Sequence, residues 1–414
     1  MKIIPEESLN DAIFAIESLR AGIPTRKSTR ELPDLRENII STIKEDLVKF
    51  QNGEIPLGRL VWGQYGQGKT HLLTMVEHIA LDMNFAVSRV SLSREVSCHN
   101  LFKFYTRVAP RIITPDSTAY GIHRILNKKE VKYLPDTPIQ NLDRYIHPLP
   151  ALIFETFFST DGEEQHTLYS DLMGIKVLLG EFKRIYKRSK PALAPPKFDT
   201  FKQTEHATAY LGLLADVTKF CGYNGWVILI DEVELMGRLG KVARLKAYQN
   251  LNWLLNWSKE QKYPIYTLAA AATRLQDDTW FGKKYNDRDI MPELAQERFG
   301  EKEKEKITLF FSKALSPECL TVSPATDEEL AQLLDKVALL HNKAYSWQSE
   351  IPFNSLELIK GRGNQPVRTY IRAAIETLDI QYRYKEDIQL NTTELVEQEV
   401  TEDHDFFVEN DKQD

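Results

Sequence analysis

The chain has 414 residues, of which 42% are hydrophobic, and it carries a formal net charge of −6 at pH 7. This length exceeds what one compact domain usually needs, so we expect a large domain with a smaller appendage. The composition excludes a disulfide framework, since the three cysteines lie far apart, and a membrane span, since no run of about 18 apolar residues occurs. We expect that no signal peptide opens the chain and that the protein is cytoplasmic.

The first predicted elements are two amphipathic helices over residues 8–20 and 33–50. Gly22 and Pro24 end the first helix and begin a turned, extended segment. We expect Ile23 and Pro24 to form an apolar cover over a nucleotide base. A plain linker fits the same residues.

A glycine-rich loop follows, between a predicted strand and a predicted helix. Residues 63–70 match the pattern G-x-x-x-x-G-K-[ST], the apolar run 60–62 precedes them, and a helical pattern begins at His71. A phosphate-binding loop requires this context. Glycines let backbone N–H groups turn toward phosphates, and the helix start adds a positive dipole end. We therefore expect an ATP site formed by Gly63, Gln64, Tyr65, Gly66, Gln67, Gly68, Lys69, Thr70 and His71.

The segment after the loop helix contains more than a nucleotide-binding core needs. A strand is predicted over residues 85–91 and a helix over 100–112, and residues 113–200 then read as a helical insertion. Its longest predicted helix covers residues 165–188 and leads into the basic run 183–190. These cations either contact a nucleic-acid backbone or stabilise the helix by lying near the negative, C-terminal end of its dipole.

The second motif is an apolar run that ends in two acids, Asp231 and Glu232. It predicts a central parallel strand that is buried on both faces, and ligands in such sheets bind at the carboxyl ends of strands. We expect Lys69 to reach the β- and γ-phosphates, Thr70 and Asp231 to hold Mg²⁺, and Glu232 to act as base for the attacking water.

Helices are predicted over residues 203–220 and 241–258, and a further core strand over 264–273. The strand ends at Thr273, which we expect beside the γ-phosphate and the attacking water. A strand-end hydroxyl without a role is the alternative. Together these elements predict an α/β P-loop fold, in which a parallel sheet is flanked by helices.

Two further helices, over residues 326–345 and 365–383, predict a small lid that closes on the nucleotide. From Glu386 to Asp414 the chain has eleven acidic residues and one lysine, about −10, which leaves about +4 on the rest. We expect 384–414 to be a mostly disordered tail. Its Phe406 and Phe407 either dock on a partner or belong to a segment that mimics nucleic acid or aids solubility.

Five short segments carry a resemblance to known proteins, and they are residues 19–24, 63–71, 222–225, 231–234 and 320–324. With them the chain resembles AAA+ ATPases, in the order Walker A loop, Walker B strand, polar strand end, later arginine and helical lid. More narrowly, it resembles the BrxD-like ATP-binding family of the BREX anti-phage systems and the related ATPase of the Shango system. On this basis residues 1–325 form the ATPase core and residues 326–383 the lid.

The resemblance also implies partners and further site residues. The family works on DNA with a large Lhr-like helicase and other defence-system proteins. Arg298 stands where an arginine finger of a homo-oligomer would reach a neighbouring subunit's nucleotide, and a helix arginine paired with Glu293 or Glu297 is the alternative. The lid arginine usually follows proline directly, but here Arg368 comes one position late and Arg372 one turn later.

Three functions fit these observations. The first is an AAA+ ATPase that oligomerises on DNA, or loads a helicase onto it, and uses ATP hydrolysis for remodelling. The second is a switch or scaffold that binds ATP tightly and hydrolyses it slowly. The third is a small-molecule kinase, against which the paired acids and the lid argue.

Overall fold

The computed structural model describes residues 6–21, 32, 36–93, 95–117, 120–122, 126, 142–194, 197–348, 352–362 and 365–385. The predictions for Ile23, Pro24 and the acidic tail with Phe406 and Phe407 lie outside these residues.

Five strands form one sheet in the order β2-β3-β4-β1-β5. They are β1 (Arg59–Gly63), β2 (Ala86–Ser91), β3 (Trp226–Asp231), β4 (Ile265–Ala272) and β5 (Leu320–Val322). The pairs β1–β5, β2–β3 and β3–β4 are parallel. Every residue of β3 and β4 is buried, as expected for central strands covered on both faces. The predicted α/β fold with a parallel sheet is confirmed.

The described α-helices include most of the predicted ones and several that were not predicted. They are α1 (Glu6–Arg20), α2 (Glu37–Gln51), α3 (Lys69–Asp82), α4 (Leu101–Val108), α5 (Leu149–Phe157), α6 (Gly162–Leu172), α7 (Leu179–Ser189), α8 (Gln203–Phe220), α9 (Lys241–Leu254), α10 (Asp287–Phe299), α11 (Glu301–Ala314), α12 (Asp327–Tyr345), α13 (Ser355–Arg362) and α14 (Val367–Tyr384). Short 3₁₀ turns cover Ala109–Arg111, Leu142–Arg144 and Val233–Arg238, and a π-helix covers Gln276–Trp280. None of the described helices is long and apolar enough to cross a bilayer.

The described residues pack as two compact units. The first lies within Met1–Ile43, Val61–His78 and Leu320–Asp414, and the second within Lys44–Leu60 and Ile79–Cys319.

In the first unit, the N-terminal helix α1 packs against the C-terminal helices α12 and α14. Its residues Ala12, Ile16 and Leu19 share one apolar core with the buried face of α12. That face comprises Leu330, Leu333, Leu334, Val337 and Leu340, as their helical spacing predicts. The predicted domain boundaries place α1 with the ATPase core, and they stay a prediction.

In the second unit, the predicted helix over residues 165–188 is wrong, because the chain forms two helices, α6 and α7, instead. Gly174 has a φ of +98°, which a helix interior excludes. The buried Asp171 caps the break by accepting hydrogen bonds from the Val177 N–H (2.7 Å) and the Lys176 Nζ (3.2 Å). Ile175 and Leu178 continue the helical apolar spacing of Leu168 and Leu172, but the break leaves both of them exposed.

Candidate nucleotide-binding site

The glycine loop joins the buried strand β1 to helix α3. Gly66 has a φ of +78° and Gly68 a φ of +92°, a backbone region that favours glycine. At Gly66 the space is limited as well, since an added Cβ would lie 2.7 Å from the Cβ of Pro366. Helix α3 begins at Lys69, so its free N–H groups face the loop. The local sequence thus forms the turn that a phosphate cradle needs.

Lys69 lies within the loop that it ends. Its side chain is largely buried, and its Nζ donates to the carbonyl oxygens of Gly63 (3.1 Å) and Gln64 (3.0 Å). Gln67 closes the turn, because its Oε1 accepts from the Gln64 N–H at 2.9 Å. Backbone donors, a helix start and a mobile ammonium group held on carbonyls are the donor set that a polyphosphate requires. The residues present therefore fit ATP.

Thr70 and His71 form the first turn of α3. Thr70 is half-buried, and its carbonyl accepts from the Thr74 hydroxyl at 2.9 Å. His71 Nε2 is buried and has no hydrogen-bond partner among the described groups. Burial, followed by the positive charges of Arg36 and His78, lowers the pKa of His71 to about 4. The imidazole is therefore neutral at physiological pH and supplies one donor and one acceptor.

Arg36 is the residue directly before α2, and its side chain contacts the glycine loop. It is not among the site residues predicted from the sequence. Its Nη2 donates to the Gln67 carbonyl (3.0 Å) and to the Ser323 carbonyl (3.1 Å) just beyond β5. Its backbone N–H donates to Glu329 Oε1 at 3.4 Å, in the first turn of α12. Burial lowers the pKa of Arg36, against a smaller raising effect of Glu329. A lone arginine ahead of an amphipathic helix carries no local signal of this contact.

One of the two candidate lid arginines lies against the loop. The Arg368 guanidinium is 5.6 Å from the ring centre of Tyr65, and Tyr65 is 65% exposed. Arg372 lies one turn further along α14 and is exposed. The structure thus brings Arg368 to the glycine loop, and its role toward a nucleotide stays a prediction.

The paired acids end strand β3 in the second unit. Asp231 is buried, its Oδ1 accepts from the Glu232 N–H (3.1 Å), and its Oδ2 lies 3.4 Å from Arg89 Nη2. Arg89 stands on the neighbouring strand β2, and the sequence did not single it out. Its only signal in the sequence is a charged residue inside a predicted strand.

Glu232 has an unusual backbone. Its φ of +58° and ψ of +38° are left-handed, a conformation that costs a non-glycine residue roughly 1–3 kcal/mol and clusters at functional sites. Directly after it, the 3₁₀ turn begins, and Glu234 Oε2 accepts from the Ala272 N–H at 2.9 Å. Glu234 therefore ties this turn to the end of β4.

Thr273 follows β4 and is half-buried. The register pairs Ile230 with Ala269, so Thr273 lies four residues past the last paired position of β4. Its carbonyl accepts from the Gln276 N–H (2.9 Å) at the start of the π-helix. Single-turn π-helices occur frequently at functional sites.

Arg298 lies near the end of α10 and is exposed. Glu293, one of its expected alternative partners, pairs with Lys304 at 2.8 Å, and no described side chain pairs with Arg298. Helix α10 is held at its other end, where Asp287 accepts from Arg244 at 2.7 and 3.0 Å. Arg298 is thus presented to solvent from an anchored helix.

The predicted site residues fall in both units. The structure brings Lys69 to Gly63 and Gln64, Tyr65 to Arg368, and Asp231 to Glu232. The loop belongs to the first unit and the acids to the second. Their convergence on one Mg²⁺–nucleotide stays a prediction.

A solved structure of the Aeropyrum pernix Orc1 protein in complex with DNA is similar over 86% of this chain and 63% of that chain, with 13% sequence identity and a TM-score of 0.33. The chain thus spans less than two thirds of the length of that structure. A search of curated proteins gave no significant match.

The model of one protein family matches most of the chain. The family is described as BREX system ATP-binding protein BrxC/D, and the match covers residues 8–129 and 200–393. The matched ranges include the glycine loop, the paired acids and the C-terminal helices, and they omit most of the predicted insertion. The chain therefore belongs to the BrxC/D family of BREX system ATP-binding proteins.

Proposed function

We propose that this chain binds ATP at the glycine loop and hydrolyses it with Mg²⁺. The observation that carries the proposal is the loop geometry, with Gly66 and Gly68 in the left-handed region and the Lys69 ammonium on the carbonyls of Gly63 and Gln64. Membership of a family of ATP-binding proteins supports ATP as the nucleotide.

In this proposal, Lys69 holds the β- and γ-phosphates, and Thr70 and Asp231 hold Mg²⁺. Glu232 orients the attacking water and accepts its proton, and Thr273 contacts the same water. The support is topological. Asp231 is the last residue of the fully buried strand β3 and Glu232 follows it, and the carboxyl ends of parallel strands meet at one edge of a sheet.

We assign two arginines to the later part of the cycle. Arg298 is exposed and unpaired among the described side chains, as a residue that reaches a neighbouring subunit must be. Arg368 acts from α14, where it already lies against Tyr65. An arginine supplied between subunits requires a homo-oligomer.

DNA and a helicase are the proposed partners. The chain without its acidic tail carries about +4, and α7 presents four exposed cations, which favours contact with phosphates. The large Lhr-like helicase and other defence-system proteins are proposed from the family resemblance, with action in the cytoplasm.

The test is steady-state ATP hydrolysis by the full chain, with and without DNA. We expect Mg²⁺-dependent turnover that stops on chelation and returns on addition of Mg²⁺. Glu232→Gln should keep ATP binding and lower turnover by about 10²–10⁴-fold, the usual contribution of a general base. Lys69→Ala should weaken binding and turnover together.

Exposed lysines of α9 supply the control, and Lys246→Ala should behave like the wild-type chain. Wild-type turnover in the Glu232→Gln variant would remove Glu232 from the mechanism. Absence of hydrolysis with DNA and partner present would overturn the proposal that the chain is an ATPase.

A slow switch is the second candidate, and the pair of Asp231 with Arg89 favours it. An arginine that occupies the carboxylate competes with Mg²⁺ for the same oxygens. The two functions differ in turnover. ATP-locked oligomers with negligible steady-state hydrolysis, seen by mass photometry beside a phosphate-release assay, support the switch.

A further inference from the structure

Arg36 holds one peptide group of the glycine loop from outside. Its Nη2 lies 3.0 Å from the carbonyl oxygen of Gln67, the residue before Gly68. The same nitrogen lies 3.1 Å from the Ser323 carbonyl, which anchors the guanidinium to the chain just beyond β5. The loop is therefore tied to a part of the first unit that belongs to neither β1 nor α3.

The orientation of that carbonyl fixes the orientation of the next N–H. The described chain has no cis peptide bond, so the Gln67 C=O and the Gly68 N–H point in opposite directions. With the C=O on Arg36, the Gly68 N–H points away from Arg36. Among the described groups, none accepts a hydrogen bond from this N–H. Glycine adopts the φ of +92° found at Gly68 without steric cost. The same freedom lets the Gln67–Gly68 peptide group rotate unless a contact such as that from Arg36 fixes it.

Arg36 is itself held in place at some cost. Its own φ is +65°, a strained value for an arginine. Its backbone N–H is fixed by Glu329, whose other oxygen accepts from the Thr326 N–H in the capping box of α12. Its Nε is buried without a partner, as is the neighbouring His71 Nε2. A buried donor without a partner costs free energy, so the other contacts of Arg36 must offset that cost.

We propose that Arg36 is a positioning residue for nucleotide binding, which turns the Gly68 N–H toward the phosphates by holding the Gln67 carbonyl. The inference rests on the proposed nucleotide site and adds to it a residue outside the motif. The N–H groups of such a loop cradle the α- and β-phosphates, and AMP lacks the second of these. Arg36 therefore affects the affinity for ATP and ADP more than that for AMP.

The test compares equilibrium binding of fluorescent ATP, ADP and AMP analogues to the full chain. Arg36→Ala should weaken ATP and ADP binding by about tenfold or more, the worth of one hydrogen bond to a charged group, and change AMP binding much less. Arg36→Lys should restore part of the loss, because an ammonium group can donate to one carbonyl but lacks the guanidinium fork. Arg383→Ala, an exposed arginine at the end of α14, removes the same charge and should bind like the wild-type chain.

Thermal melting without nucleotide separates this role from a structural one. If Arg36→Ala does not fold, the binding data of Arg36→Lys decide. Equal loss for ATP, ADP and AMP, or wild-type affinity in both variants, would overturn the inference and leave the proposed function intact. A wild-type chain that binds neither ATP nor ADP would overturn both.

Discussion

The exposed ring of Tyr65 and the guanidinium of Arg368 lie 5.6 Å apart, although 303 positions separate them in the chain. A cation over an aromatic face contributes about 0.5–1 kcal/mol at an exposed site. That is enough to favour one side-chain position without preventing its exchange. We therefore expect Tyr65 to keep Arg368 close to the loop without fixing its position.

This contact distinguishes the two candidate lid arginines. Arg368→Ala should lower ATP turnover by at least about tenfold, whereas Arg372→Ala should change it little, since Arg372 lies one turn away. Tyr65→Ala should raise KM, and Tyr65→Phe should preserve it, because the ring is retained. Phosphate release at varied ATP concentration measures both constants. A larger effect of Arg372→Ala would reverse the assignment.

At the residue scale, the sequence predicts what a local motif encodes. Lys69 and the glycines around it could be assigned because their roles depend on neighbours in the chain. Arg36 and Arg89 could not, because their contacts to Gln67 and Asp231 join residues 31 and 142 positions apart. A charged residue gives no sequence signal of a partner at such a distance.

Among the helices, α1, α12 and α14 are joined by a polar network as well as by their apolar core. Asp379 on α14 accepts from Arg20 on α1 and from His341 Nε2 on α12, the latter at 3.1 Å. The Trp347 Nε1–H donates to His341 Nδ1 at 3.0 Å. Because Nδ1 accepts this hydrogen bond, Nε2 is the ring nitrogen that donates to Asp379. Three helices are thus held at one carboxylate.

This carboxylate makes the stability of the first unit depend on acid. Burial alone would raise the pKa of Asp379, but hydrogen bonds from His341 and Arg20 outweigh it and lower the pKa to about 2. Because the folded pKa lies below the unfolded value of 3.8, the contribution is present above pH 4 and is lost as the pH falls toward 2. After allowance for solvent screening, it amounts to about 1–2 kcal/mol.

Asp379→Asn should therefore lower the free energy of unfolding at pH 7, and its difference from the wild-type chain should shrink between pH 4 and pH 2. Urea unfolding at several pH values measures this. Glu376→Gln, an exposed acid on the same helix, is the control and should show no such trend. A difference that stays constant down to pH 2 would contradict the ion-pair account.

At the element scale, helical periodicity predicts α1, α2 and α8 to within a few residues. It fails at the break between α6 and α7, because apolar spacing continues across Gly174 while the backbone turns there. The buried Asp171 closes that turn with Lys176 and with the Tyr210 hydroxyl. These polar contacts stabilise the break where a continuous helix was predicted. The spacing of apolar residues carries no information about such contacts.

Over the whole molecule, charge is distributed unevenly, and α7 shows this locally. Its buried face contains Phe182, Ile185 and Tyr186, and its exposed face contains Lys183, Arg184, Lys187 and Arg188. Tyr186 is buried, so it is not available to stack on bases. Arg184 and Arg188 also pair with Glu181 and Glu164. The two lysines are therefore the main candidates for phosphate contact.

The double variant Lys183→Ala/Lys187→Ala should weaken binding to duplex DNA of any sequence. The plot of log K against log salt concentration has a negative slope, and the magnitude of that slope should decrease by about 2. Fluorescence anisotropy over a salt series measures both. The matched control is Lys241→Ala/Lys246→Ala, two exposed lysines on α9. Equal slopes for the two double variants would remove α7 from the DNA-binding surface.

For the whole molecule, the sequence predicts the α/β class and the parallel sheet, because the glycine loop and the apolar strand that ends at Asp231 are local sequence motifs. It could not predict that α1 packs with helices near the other end of the chain. Sequence pattern shows which face of α1 is apolar and gives no information about which surface covers it.

The packing of α1 has a consequence for how the protein is made. Arg20 and Asp379 are 359 residues apart, so α1 leaves the ribosome long before the helices that cover its apolar side have been made. Until then Ile16 and Leu19 face water or a chaperone. A variant that lacks α1 exposes the same apolar core as one that lacks α14.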